Sequence, residues 1–567
     1  MDGALLRRAV WIGAALVFAL GLARAWQLGW ICDDAFISLR YAQNLVEGHG
    51  LVFNPGERVE GYTNLSWTLL LAAALALGLP DLASAEALGL ASYAALAGML
   101  LAHTRRRARE TGRLPLPLAA LAVLGMDDFH VWATGGLETC LFTALATGGL
   151  LRLRRRDRPR SDLEAGLIFS ALVLTRPDGV LFAAVGVAAQ WLRAPASRAG
   201  LRHALRTGLP VAVTLAAWAL FKLAFYGELF PTAFHSKSAL GSWWSQGALY
   251  LRLFLVKNWI AGAAALAALA LLVRALSRRA PETGDLAVLV AGAALFALYV
   301  VRVGGDFMFA RRLLPVVPLL LLACEEGLLA LRDDRLRLAA TAALLLGVAL
   351  PGTVYARGEL RIGGIADERR FYPRETVALR ERQGQALHRA LAGSDARVAF
   401  EGGLCMLAYY SRLPYLAEIT GLTQYSLAKR PLAARGLVGH EKAADAGWFA
   451  ENRIDLLVRA RSPLNDREPR RSNEIFFEGV TRATILRWRD ALLRPLASKP
   501  GVQLTPIELV IANSRRRIEA APSRELAQQL LDDLERFHPP DAGEEPAEWR
   551  RSLRALVDSK PARAAAR

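Results

Sequence analysis

Residues 30–79 read WICDDAFISLRYAQNLVEGHGLVFNPGERVEGYTNLSWTLLLAAALALGL. An apolar run from Val10 to Leu28 precedes them, opened by Arg7 and Arg8. That run has the length of a membrane span. No small-residue cleavage site separates it from the acidic pair Asp33–Asp34, so it is expected to be an uncleaved first span rather than a signal peptide. Arg7 and Arg8 put its start on the cytoplasmic side, because basic residues stay inside. The polar stretch that follows is then an external loop. It ends in a second apolar run at 65–79, and whether this run crosses the membrane decides the topology of everything after it.

The next basic cluster, Arg105, Arg106 and Arg107 with Arg109 and Arg113, belongs inside by the same rule. Two crossings before it would strand five arginines outside, whereas one crossing places them inside. Residues 65–79 are therefore expected to form a short helix lying in or dipping into the outer interface, with 84–103 making the crossing. Further spans are expected near 114–126, 136–151, 163–175, 179–192, 208–225, 258–273, 284–302, 312–330 and 338–351, about 11 in all with the first at 10–29. Several fall short of the ~20 residues a bilayer requires, so their ends are expected to extend into the flanks. Every later arginine cluster then falls inside. The first holds Arg152, Arg154, Arg155, Arg156, Arg158 and Arg160, and the second Arg193, Arg198, Arg202 and Arg206. Arg274, Arg278 and Arg279 form the third, and Arg332, Arg335 and Arg337 the last. The chain beyond Pro351 is outside.

Composition agrees. Of 567 residues 53% are hydrophobic, while the formal charge is +18. Because the excess arginine lies in short clusters between apolar runs, it reads as cytoplasmic loops, and no nucleic-acid partner is expected. Cys32, Cys140, Cys324 and Cys405 lack the spacing of a metal site or a disulfide framework. No HExxH, GxSxG or phosphate-binding glycine loop occurs. Two domains are expected, a membrane domain at 1–352 and a soluble domain at 353–567. Within the latter, 397–460 alternates short apolar runs with helical patterns, which suggests an α/β layer. Residues 515–560 suggest a charged surface helix and a frayed end.

The same topology sorts the polar motifs. Asp33–Asp34, Asp127–Asp128, the Arg176-Pro177-Asp178-Gly179 turn, Tyr226 to Lys237, and Gly304-Gly305-Asp306 all face outward. Asp34 through Glu47 has the pattern of an amphipathic helix, so one aspartate of the pair would sit at its N-cap, where a carboxylate is favoured. The second has no such explanation. Adjacent carboxylates repel, and partial burial raises a carboxylate pKa, which suits a general base. Arg40, Arg58, Arg176, Lys237, Arg311 and Arg312 are cations on the external side, where snorkelling to lipid phosphate or contact with an anionic lipid-linked substrate would hold them. Glu60, Tyr62, Glu138, Asp178, Asp306 and His440 are candidates for shaping the site or meeting an acceptor.

The run DDAFISLRYAQNLVEGHGLVFNPGERVEGYTN resembles the first external loop of bacterial GT-C glycosyltransferases, and most resembles the terminal β-(1→2)-arabinofuranosyltransferases and their relatives. The motifs GGLET at 135–139, RPDG at 176–179, YGELFPTAFHSK at 226–237, GGDFMFARRLLP at 304–315, GLTQYSLA at 421–428 and GHEK at 439–442 follow in the same order. The resemblance implies a GT-C fold, with a polytopic α-helical membrane core, juxtamembrane helices in the first external loop and a C-terminal α/β periplasmic domain. It implies an inverting enzyme that moves a sugar, arabinofuranose in those relatives, from a polyprenyl-phosphate donor to an envelope glycan or glycolipid acceptor. Asp33 or Asp34 would be the catalytic base, and Arg40, Arg176, Lys237, Arg311 and Arg312 the donor-phosphate ligands. No cofactor is required by such chemistry, and a divalent metal at Asp33/Asp34 is the alternative use of the pair. A rival function for so many spans is an envelope lipid transporter or flippase, which should carry midplane charges or inverted repeats. A non-enzymatic envelope scaffold is the third.

Overall fold

The computed structural model describes residues 3–558 apart from 156–159, 196, 238–240, 281–282, 330, 332, 357, 433, 460–472, 506 and 538–543. Arg156, Arg158 and Arg332 of the expected inner clusters therefore lie outside the described residues. The chain forms two compact units. One comprises Met1–Thr376 and Ala428–Lys442, the other Val377–Leu427 and Ala443–Arg567. Residues 353–376 and 428–442, assigned from sequence to the soluble domain, thus group with the helical unit.

The first unit is built from α1 (Gly3–Leu28), α2 (Ala35–Val46), α3 (Leu65–Ala76), α4 (Asp81–Thr111), α5 (Leu118–Gly125), α6 (Asp127–Thr134), α7 (Thr139–Leu153) and α8 (Ser161–Thr175). It continues with α9 (Val180–Leu192), α10 (Arg198–Tyr226), α11 (Thr232–Ser236), α12 (Trp244–Lys257), α13 (Trp259–Ser277), α14 (Thr283–Arg302), α15 (Val316–Leu329) and α16 (Asp334–Ala349). Among the described residues α1, α4, α10, α13 and α14 are long and apolar enough to cross a membrane. Large apolar side chains such as Ile12, Leu16, Leu220, Leu266 and Leu298 stand exposed on them, as a hydrocarbon surround demands. The protein is a multi-pass membrane protein. The expected spans at 136–151, 163–175, 179–192, 312–330 and 338–351 form helices of 13 to 16 residues. The stretch at 114–126 does not extend as expected. It holds the eight-residue α5, which rises only about 12 Å. Pro115 and Pro117 block an earlier start, and Met126 is extended at its end.

Helix α3 has 12 residues and rises about 18 Å, well short of the ~30 Å hydrocarbon core. It packs on α2, the amphipathic helix of the first loop. The basic clusters gather at one end of the bundle. Glu326 of α15 meets His103 Nε2 (2.7 Å), Arg107 Nη2 (2.9 Å) and Arg154 Nη2 (3.1 Å), while Asp285 of α14 pairs with Arg154 and Arg193. Loops that the parity argument put on one side do share one end. Two short strands, β1 (Arg361–Ile362) and β2 (Ile365–Ala366), follow the last helix and form an antiparallel hairpin.

The second unit carries a mixed sheet of β3 (Arg397–Phe400), β4 (Tyr415–Glu418), β5 (Leu456–Val458), β6 (Glu474–Phe477), β7 (Thr481–Ile485) and β8 (Val502–Leu504), in the order β4-β3-β5-β7-β6-β8. The β3–β4 and β3–β5 pairs are parallel and the rest antiparallel. The expected α/β layer at 397–460 is its parallel half. The expected frayed surface helix is instead a packed trio, Ile507–Ala520, Arg524–Phe537 and Glu544–Asp558. Val510, Ile511, Leu530, Leu531, Leu534, Trp549 and Leu553 make a core of their own. Its apolar stripe, spaced at i, i+3, i+4 and i+7, was hidden by the high overall charge. All four cysteines are free and buried.

Candidate active site

The acidic pair sits where the chain leaves α1 and enters α2. Asp34 occupies the N-cap position of α2, but its side chain makes no capping hydrogen bond. Asp33 is 2% exposed, whereas Asp34 is only half-buried. Capping therefore does not use Asp34, and of the two it is the carboxylate that a ligand reaches. The charge of Asp34 acts on Lys237, Arg311, Glu368, Tyr372 and His440. That of Asp33 acts on Glu368 and Tyr372.

A ladder of ion pairs runs beside it. Arg176 grips Asp178 with two bonds, Nε to Oδ1 at 3.1 Å and Nη2 to Oδ2 at 2.5 Å, and its guanidinium lies over the Phe142 ring. Arg312 Nη1 reaches Asp178 Oδ2 at 3.4 Å and its Nε reaches Asp306 Oδ2 at 3.6 Å. Arg311 closes on the same Asp306 oxygen, at 2.7 Å from Nη2 and 3.0 Å from Nε. Burial alone would raise the Asp306 carboxyl, but Arg311, Arg312 and Lys237 outweigh it and hold it well below the usual carboxylate range. Burial likewise disfavours charge on Arg311, and Asp306, Glu138 and Asp34 more than offset it. Burial pushes the Lys237 ammonium down to about 8, against the pull of Asp306 and with the push of Arg312 and Arg311.

Backbone geometry fixes these groups. Gly305 has φ +74°, and a β-carbon there would lie 2.5 Å from the Tyr250 ring, so only glycine lets the 304–312 segment pass. Tyr250 donates to the Met308 carbonyl at 3.0 Å and accepts from the Arg312 amide at 3.2 Å. Phe307 and Phe309 pair with Ala366 of the hairpin through bonds of 2.7 and 2.9 Å. Lys237 ends α11, whose first residue Thr232 donates from N (2.9 Å) and Oγ1 (3.2 Å) to the Glu60 carbonyl. His440 meets the Phe307 ring edge-on at 4.8 Å, and burial lowers its imidazole pKa, partly opposed by Asp34.

The site residues expected from sequence thus divide. Asp34, Lys237, Asp306, Arg311, Arg312, Asp178, Arg176 and His440 form one electrostatic cluster. Glu138 joins at its edge, accepting from Asn64 Nδ2 at 3.0 Å, with Asn64 held by Ser38 of α2. Glu60 and Tyr62 stand beside α10 instead. Glu60 pairs with Lys222 at 3.0 Å, and the Tyr62 and Tyr226 hydroxyls are 3.1 Å apart. Arg40 turns toward the loop that follows α2. Its Nε donates to the Phe53 carbonyl at 2.6 Å, its Nη2 to Asn54 Oδ1 at 3.3 Å, and its guanidinium covers the Phe53 ring. Two members went unnoticed in the sequence. Glu368 is 4% exposed, and burial together with Asp34 pushes its carboxyl up to about 8. Tyr372 is raised by burial and by Asp33. Their one signal was a short polar run, ERRFYPRE, close behind the last apolar stretch. Among the described residues no three His, Cys, Asp or Glu side chains converge as a metal-ligand group.

A helical membrane core that gathers paired charges around a half-buried carboxylate at one end has the makings of a membrane-embedded enzyme. The comparisons give the class. The chain is 32% identical over 433 residues to the terminal β-(1→2)-arabinofuranosyltransferase of Mycobacterium tuberculosis, covering 66% of this chain and 67% of that one. It is 32% identical over 335 residues to the enzyme of the same name from Corynebacterium glutamicum, covering 52% of this chain and 48% of that one. The chain belongs to this family and is a membrane glycosyltransferase. No family model matches it. Solved structures with a similar chain path include ArnT from Cupriavidus metallidurans bound to undecaprenyl phosphate, at 14% identity and TM-score 0.42, covering 73% of this chain and 85% of that one. The Archaeoglobus fulgidus oligosaccharyltransferase tethered to an acceptor peptide gives 10% identity and TM-score 0.46, covering 78% and 68%.

Proposed function

We propose that the protein transfers a sugar, arabinofuranose by the name of its relatives, from a polyprenyl-phosphate donor to an envelope glycan or glycolipid acceptor. The reaction inverts the anomeric centre and takes place on the extracytoplasmic face of the cytoplasmic membrane. Asp34 takes the proton from the acceptor hydroxyl. The hydroxyl oxygen bonds to the anomeric carbon as the bond to the lipid phosphate breaks, and the phosphate leaves with the electron pair. Asp33 holds the start of α2 and so positions Asp34.

The observation that carries this reading is the gathering of four cations, Arg176, Lys237, Arg311 and Arg312, around Asp178 and Asp306 beside Asp34, with Glu138 also acting on Arg311. A glycosyl phosphodiester bears one negative charge and the departing phosphate gains a second. Fixed cations held in a poorly solvated site favour the state in which that charge develops. The side assignment is supported by the basic clusters at the opposite end of the bundle. No metal takes part in this scheme. A divalent ion bridging Asp33 and Asp34 is the competing use of the pair, and transfer that persists in EDTA goes against it.

Asp33→Asn and Asp34→Asn variants, reconstituted separately and assayed for transfer from a polyprenyl-phosphate arabinofuranose donor, test the scheme. Asp34→Asn should lose at least 100-fold in kcat, the lower bound of the range for a general base (about 10²–10⁴), and Asp33→Asn less. Full activity in both variants would overturn it.

A further inference from the structure

A cavity of about 270 Å³ opens among α1, α6, the α12–α13 junction, the chain at 351–355 and residues 367–370. It lies on the far side of a wall made by Trp132 and Phe309. Arg311 of the ion-pair ladder is 5.9 Å from the Trp132 ring centre, and the Trp132 Nε1 donates to the Phe309 carbonyl at 3.0 Å. Glu368 lines the cavity as well, and its carboxylate feels Asp33, Asp34 and Asp306. The cavity and the candidate active site therefore share Glu368. This side chain is nearly fully buried.

Two features define what would fit. First, most of the charge on the lining is already paired. Lys257 pairs with Asp128 at 2.5 Å and Arg370 with Asp367 at 2.9 Å, and Arg24 acts on Asp127. Little net charge is left to select an anion. Second, Trp132, Phe309 and Tyr355 stand among these polar groups, with Lys257 over the Phe309 ring at 5.2 Å and Arg370 over the Tyr355 ring at 5.8 Å. Apolar faces interleaved with carboxylates and guanidinium groups suit a neutral polyhydroxylated ring, whose C–H face packs on aromatics while its hydroxyls bond to the charged groups. A cavity of about 270 Å³ has room for a sugar ring with its hydroxyls.

We propose that this cavity is a subsite for a neutral sugar ring of the acceptor glycan, joined to the Asp33–Asp34 centre by Glu368. The proposal rests on the glycosyl-transfer reading above and deepens it. It also gives the external pair Asp127–Asp128 a use. Asp128 holds Lys257 and Asn258 at the cavity wall, the latter at 2.7 Å. Glu368 meets a ring hydroxyl next to the one that reacts, so it sets the acceptor's register against Asp34.

The test uses the full chain in lipid nanodiscs and, as probe, a soluble neutral arabinofuranosyl disaccharide. Val354→Trp fills the cavity from its lining, and Thr353→Trp narrows it from the exposed rim should the first variant fold poorly. Saturation-transfer NMR should show the disaccharide on the wild type and a signal reduced at least five-fold in either variant. In the transfer assay both variants should raise the acceptor KM at least ten-fold and leave the donor KM unchanged. Equal NMR signals in wild type and variants would overturn the proposal, as would displacement of the disaccharide by inorganic phosphate, which would mark an anion site. Disaccharide binding that responds to the variants, in a protein that transfers no sugar from the lipid donor, would sink the proposed reaction while sustaining the subsite.

Discussion

Arg311 binds a single oxygen of Asp306 through both Nε and Nη2, and the other oxygen, Oδ1, is buried without a hydrogen-bond partner among the described residues. An acceptor atom left unsatisfied in a buried site costs free energy, so its retention points to a partner that arrives with substrate or solvent. Removing the carboxylate leaves Arg311, Arg312 and Lys237 close together without their shared counter-charge. Breaking a buried pair by deleting one partner costs about 3–5 kcal/mol. Asp306→Ala should therefore lower the melting temperature sharply. Asp306→Asn, which keeps the shape, should fold better yet lose activity. A wild-type melting curve for Asp306→Ala would show that the ladder is not structural.

Lys237 gives the activity a pH dependence with a definite sign. Burial pushes its pKa to about 8, so it is charged below that value and neutral above it. If it holds donor phosphate, kcat/KM for the donor should be level below pH 8 and fall above it. Lys237→Arg keeps the cation far into the alkaline range and should remove that fall, at some loss of rate because the fork does not mimic an ammonium. Glu368 is pushed to about the same value. A fall that survives in Lys237→Arg but vanishes in Glu368→Gln would reassign the titration to Glu368.

The sequence revealed where chemistry could occur more fully than which side chains would meet. Charge placement alone led to the expectation of a short non-crossing helix at 65–79, because two crossings would have stranded Arg105–Arg107 on the wrong side, and the 12-residue length of α3 fits it. Asp34 at the head of α2 was legible from an amphipathic period following two acids. Glu368 was not, because it joins the site only through the hairpin β1–β2, which pairs Ala366 with the 307–309 segment. That pairing spans nearly sixty residues and involves one bridge, too little for a local pattern to signal. The helical trio at 507–558 was masked by its own charge, since the apolar stripe occupies one face of otherwise polar helices.

Arg40 shows the limit most sharply. Residue type and membrane side marked it as a phosphate ligand, but a side chain's direction is not written in its type. Its guanidinium bonds to Phe53 and Asn54 and so ties α2 to the loop behind it. Burial lowers its pKa to about 10, so it stays charged at neutral pH. Arg40→Met should destabilise the protein by about 1–3 kcal/mol, the cost of a buried acceptor left unpaired. Thermal unfolding would register this, while the donor KM of the folded fraction should remain close to wild type. A donor KM raised ten-fold with unchanged stability would restore Arg40 to the donor site.

Gly439 connects the GHEK motif to the reaction. Its φ of +83° lies in the left-handed region, and a β-carbon built there would come within 3.1 Å of the Lys237 Cε. Gly439→Ala therefore meets two penalties. The backbone conformation costs an L-residue about 1–2 kcal/mol, and the methyl group presses on the lysine's last methylene. The ammonium, and not the fold, is the part that can yield, since Lys237 is the end of a flexible side chain. The donor KM should rise several-fold while the acceptor KM holds. Gly436→Ala is the matched control, three residues earlier, with nothing within 4 Å of its added β-carbon and an ordinary φ. It should behave as wild type. Equal donor KM values in both variants would mean that Lys237 does not depend on this contact, and the loop at 436–442 would then lose its place in the donor site.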